Sequence, residues 1–135
     1  MRSIRIPRLT ITLLAGVALC LCLASAALAL QPMATPQGIP YLSGGIGSDE
    51  RAQMDAMAGQ YNLKMEFARS DRAFLADVRV AFRGPVSGEV LSQGPILLIR
   101  LPAGSYAITA TTNGVARTQN VSVGAGGLRT VAFLW

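Results

Sequence analysis

The sequence predicts an all-β sandwich of seven short strands preceded by one short helix. Three observations carry that expectation. Apolar and polar residues alternate with a period of two in several segments after residue 60, the signature of half-buried strands. Turn-forming pairs separate these segments at Gly84-Pro85, Gly94-Pro95 and Asn113-Gly114. The chain ends on Val131, Phe133 and Trp135, an alternating row suited to closing a core.

The first 29 residues read as an export signal and stand apart from the fold. Arg2, Arg5 and Arg8 form a positively charged start, and an apolar run follows from about Ile11 to Leu23. Ala27-Leu28-Ala29 supplies the small-x-small pattern that signal peptidases accept, which places the cut between Ala29 and Leu30. Ala24-Ser25-Ala26 offers a second such pattern. If the leader were retained, Ile11 to Leu30 would be long enough to span a bilayer and anchor the protein. Cleavage implies a periplasmic chain that meets the membrane only if the leader stays.

Composition changes once the leader is set aside. The whole chain carries a formal charge of +5, yet nine basic residues against seven acidic ones remain after residue 29, leaving +2. Those basic residues are scattered along the sequence, so no phosphate-tracking patch is expected and nucleic acid is not an expected partner. Both cysteines, Cys20 and Cys22, lie in the leader, each preceded by leucine where a lipidated cysteine needs a small residue. The mature chain therefore has no disulfide and must be held by packing alone. Its roughly 105 residues are enough for one modest core.

Residues 30–47 read as a flexible Pro/Gly-rich tether, because Pro32, Pro36 and Pro40 favour extended backbone and glycines follow. Residues 48–59 read as a short helix, with Ser48 as N-cap, Asp49 and Glu50 in the first turn, and Gly59 ending it. Met54, Met57 and Ala58 share one helical face. That face suits packing on the edge of the following domain. An adaptable methionine surface for a partner is the functional alternative, so Tyr41, Met54 and Met57 are the candidate partner-contact residues.

Residues 60–135 supply the sandwich domain. Tyr61, Leu63, Met65 and Phe67 alternate with polar residues, and Val78, Val80 and Phe82 do the same after a turn at Ser70-Asp71-Arg72. A weaker strand surrounds Val90. Ile96 to Leu101 is nearly continuous apolar sequence, as expected where both faces are covered. Tyr106, Ile108 and Ala110 form the next inward row, and Val121 and Val123 lie on the returning strand. Asn113-Gly114 between them suits a two-residue hairpin turn with positive φ at both positions.

The run from Ile99 to Ala110, IRLPAGSYAITA, resembles the L-P-x-G-x-Y-x-[VI]-x-A hallmark of carboxypeptidase regulatory-like domains. Gly114, Val121, Val123 and the Val131-x-Phe133-x-Trp135 ending continue the pattern. The front end, Tyr41-Leu-Ser-Gly-Gly-Ile-Gly and the short helix, is similar to small exported proteobacterial proteins carrying this domain. The resemblance implies an Ig/transthyretin-like sandwich and an accessory role, and it implies no peptidase activity. In such families the zinc ligands of the peptidase belong to a different domain.

The residue inventory narrows the chemistry further. No histidine occurs anywhere in the chain, which removes Ser-His-Asp and Cys-His nucleophile systems and His-ligated zinc. No Asp-rich loop suits calcium. Gly44, Gly45 and Gly47 precede the helix, but no Lys-Ser/Thr follows them to hold a nucleotide. The carboxylates Asp49, Glu50, Asp55, Asp71, Asp77 and Glu89 fit capping, turn-forming and solvated positions. The expectation is thus a non-enzymatic exported sandwich with no catalytic residue, cofactor or metal. It would act as a binding or structural module by self-association or on an envelope protein. The alternative is a membrane-anchored accessory subunit of an envelope complex.

Overall fold

The computed structural model describes residues 30–71 and 73–135. The expected export leader with Ala29, and Arg72, lie outside the described residues. The described chain forms two sheets. Its strands are β1 (Met33–Ala34), β2 (Pro40–Gly44), β3 (Leu63–Ala68), β4 (Val78–Arg83), β5 (Ser87–Ser92), β6 (Ile96–Ile99), β7 (Gly104–Thr112), β8 (Val115–Val123) and β9 (Arg129–Leu134). One helix, α1 (Gly47–Met57), runs into a 3-10 turn over Ala58–Gln60. The first sheet has the order β1-β2-β6-β3-β9, the second β5-β4-β7-β8. Pairing is antiparallel except between β3 and β9, which run parallel.

The seven strands expected after residue 60 are β3 to β9. The strand count is nine among the described residues, because the stretch expected to be a flexible tether contributes β1 and β2. Tyr41 pairs with Ile99 and Leu42 with Leu98, and Leu42 is only 1% exposed. Pro40 is compatible with this strand because it opens it, where a missing N–H is tolerated. Its carbonyl accepts from the Arg100 N–H at 3.0 Å.

Alternation places one face of each sheet in the main core. Leu63, Met65, Phe67, Leu97, Ile99 and Phe133 from the first sheet meet Val80, Phe82, Tyr106 and Ile108 from the second. The Phe67 and Phe133 rings stand 5.9 Å apart, and Phe82 meets Tyr106 edge-on at 6.5 Å. The opposite face of the first sheet is covered by α1, whose Met54 packs with Leu42, Tyr61, Ile96 and Leu98 in a second cluster. That coverage explains why every residue of β6 is buried. The helix therefore lies over the middle of a sheet face and not on its edge.

Two local expectations need correction. Ser48 does not cap α1. The helix begins at Gly47 with no side-chain cap, and Glu50 Oε1 instead accepts from the N–H groups of Gly45 and Ile46 at 3.0 and 3.2 Å. Tyr61 does not share the inward row of β3, because the period of two starts only at Leu63. Asn62, expected to face solvent, is 3% exposed. Its Nδ2 donates to the Leu101 and Gly124 carbonyls at 2.7 and 3.1 Å, and its Oδ1 accepts from the Leu101 N–H at 2.9 Å. This side chain supplies partners that a strand would otherwise supply, and so turns the chain from the helix layer into the core.

The hairpin and the corner before β7 follow the sequence closely. Asn113 and Gly114 have φ of +51° and +78°, as a two-residue turn requires. In the Leu101–Ala110 run, Leu101, Tyr106, Ile108 and Ala110 are buried. The Tyr106 hydroxyl donates back to the Pro102 carbonyl at 2.6 Å. A Cβ on Gly104 would come within 2.5 Å of Pro85, so only glycine lets these two segments approach.

Candidate functional site

Each carboxylate named from the sequence has a local structural role or lies in a loop. Glu50 holds the entry to α1, and Lys64 lies 4.0 Å from Asp55 and 3.6 Å from Glu66. Glu89 faces Arg79 at 3.5 Å. Asp71 accepts from Arg69 at 2.8 Å and from the Ala73 N–H at 3.0 Å, which folds the loop after β3. These two bonds hold the Asp71 carboxyl below its ordinary pKa, the arginine bond contributing most. Asp77 adopts a φ of +56° just before β4. Among the described residues, no group of three or more histidine, cysteine or carboxylate side chains converges as a metal site would need. No helix among them is long and apolar enough to cross a membrane.

The three candidate partner contacts do not form one surface. Tyr41 lies half-buried on β2 and packs against the main core. Met54 is 1% exposed beneath α1, and Met57 is partly buried against the same second cluster. Side chains alternate across a strand, so Tyr41 and Leu42 face opposite sides of the sheet. The methionine face is occupied by the protein's own β2 and β6. Leu30, the residue after the expected cut, packs on this cluster, and its backbone N–H donates to Gln53 Oε1 at 2.9 Å.

The structure exposes a different apolar group beside the start of α1. Ile46 and Phe74 are each 61% exposed. They share the wall of a cavity of about 280 Å³ with Leu75, Ala76 and Pro95. Arg51 bounds it, its guanidinium 4.3 Å above the Phe74 ring and its Nε donating to the Gly45 carbonyl at 3.1 Å. A second cavity of about 340 Å³ adjoins along Arg51, Phe74 and Pro95, with Asp55, Lys64 and Glu66 on its walls. The patch is thus apolar at its centre and charged in both signs at its rim. Phe74 sits in the loop between β3 and β4, tied to Ala68 by an isolated bridge. The sequence signal was the apolar pair Phe74-Leu75 inside an otherwise polar turn region.

No family model matches the chain, and no curated protein matches it.

Proposed function

We propose that this chain is an exported, non-enzymatic β-sandwich of the cell envelope that works by binding a partner protein. Its contact surface is the Ile46–Phe74 patch. The single observation that carries this reading is the side-by-side exposure of two large apolar residues, 61% each, around a concave floor. Soluble surfaces seldom hold such groups together unless something covers them, and a charged rim is typical of protein contacts. The cation–π contact from Arg51 fixes the Phe74 ring in place, which lowers the entropy lost on docking. The occupant is an apolar side chain of an envelope protein set between Phe74 and Ile46.

The resemblance to carboxypeptidase regulatory-like domains belongs to the same reading. Its support is physical: the Leu101–Ala110 residues that carry it form a corner in which Tyr106 bonds back to Pro102. Similar tyrosine corners brace other sandwiches. Export rests on the leader sequence, and the periplasm is the compartment it implies.

Photocrosslinking in intact cells tests the surface. Photoreactive residues at Phe74 and Ile46 should give one reproducible adduct, while the same group at Asn120 on β8 should give none. Adducts absent from both positions, or equally abundant at Asn120, would remove the assignment of this patch.

A further inference from the structure

At the far end of β3 from Phe74, two cavities of about 390 and 380 Å³ meet along Asn62, Arg100 and Ala125. No carboxylate lines either one. Arg100 is exposed on the ridge between them, and its described bond is a long 3.4 Å donation to the Gln60 carbonyl. Arginine has five N–H donors, so most remain free for a ligand. Among the described residues, neither Arg100 nor nearby Arg129 makes an ion pair. The described acidic residues lie elsewhere: on α1, within β3 and β5, and in the loop between β3 and β4.

The loop Gly124–Leu128 supplies the second part. Asn62 grips it through the Gly124 carbonyl. Among the described residues, the N–H groups of Ala125, Gly126, Gly127 and Leu128 donate to no protein acceptor. Gly127 has a φ of +86° beside a Gly126 of ordinary φ. Successive free N–H groups in such a turn form a concavity that attracts anions. Tyr61 is a third part. It walls the same cavity, and its hydroxyl, which bonds no protein group among the described residues, stays open to solvent there. The adjoining cavity is walled by Ile39, Pro40, Leu101 and Pro102, an apolar set.

We infer that this end of the sandwich binds an oxyanion, a carboxylate or a phosphate, carried by a ligand with a short apolar tail. Arg100 is the countercharge, the Ala125–Leu128 amides cradle the oxygens, and the tail lies along Pro40 and Pro102. The site is independent of the Phe74 surface, so either assignment can fail without the other.

The test is an amide NMR titration of the full chain with inorganic phosphate, acetate and hexanoate, using Arg100→Gln and Arg79→Gln variants. Saturable shifts at residues 125–128 are expected with phosphate or with the carboxylates, and whichever anion saturates first names the head group. Hexanoate should also move the Ala103 amide, and failure to do so would overturn the tail. Arg100→Gln should weaken binding by roughly tenfold or more, because a charge-assisted bond is lost. Arg79→Gln, on an outward face, should leave it unchanged. Non-saturating shifts, retention of affinity in Arg100→Gln, or equal loss in both variants would overturn the site. Unshifted amides elsewhere in the Arg100→Gln spectrum confirm that the variant is folded.

Discussion

Asn62 is where a single residue decides most. Among the described residues it is the one buried side chain that bonds both β7's approach at Leu101 and the β8–β9 loop at Gly124. Replacing it with alanine strands two buried backbone groups at Leu101 and a partly exposed one at Gly124, so Asn62→Ala should cost about 2–3 kcal/mol in a urea titration. A change under about 0.5 kcal/mol would mean that water takes over those bonds. Tyr106→Phe removes the bond to Pro102 and nothing else, and about 1 kcal/mol is expected. Burial raises the pKa of both Tyr61 and Tyr106 above the ordinary 10.0, because the phenolate is disfavoured away from water. The unfolded chain therefore loses these protons first as pH rises. Stability is fully present below the ordinary tyrosine pKa and falls as pH climbs through the raised folded values. Thermal melts at alkaline pH should show that fall, and it should flatten in a Tyr61→Phe/Tyr106→Phe protein. An identical alkaline profile would assign the fall to other groups.

At the scale of elements, the core rows were legible because a period of two leaves little choice of face. Phe133→Ala should cost about 3–5 kcal/mol through the cavity it leaves. Arg79→Ala, on the outer face of β4, should stay within about 0.5 kcal/mol. Equal effects in chemical denaturation would put the register of β4 or β9 in error. The front strands were not legible. Three prolines in nine residues mimic a tether, and β2 joins the sheet through pairing with β6, more than fifty residues later in the sequence. Nor could the sequence show what seals the outer edge of β9. Gln119 donates to the Ala132 carbonyl at 2.6 Å, Arg117 to the Leu134 carbonyl at 3.1 Å, and Trp135 to the Val115 carbonyl at 2.9 Å. The Gln119 and Arg117 side chains occupy a β9 edge that would otherwise pair with another chain, and the Trp135 indole ties the end of the chain to β8. An Arg117→Ala/Gln119→Ala protein should associate in light scattering where the parent does not. A monomeric double variant would show that the edge needs no such cover.

At the scale of the whole molecule, the first sheet is a middle layer. Its inner face meets the second sheet, and its outer face carries α1. This arrangement turns the front of the chain into part of the fold and carries Ile46 to the surface beside Phe74, which the spacing of either residue alone does not show. It also separates the two sites, since Phe74 and Arg100 stand at opposite ends of β3. The Ile46–Phe74 surface depends on β2 being held in its sheet, because β2 leads directly into Gly45, Ile46 and α1. Native-state hydrogen exchange of residues 40–60 measures that most directly. The Leu42 and Gly44 amides, which face β6 in the register fixed by the Pro40–Arg100 bond, should be protected about as well as those of β3. Exchange of these two amides as fast as that of the Asn113–Gly114 turn would contradict the account, returning this segment to a tether and leaving the Ile46–Phe74 surface without support.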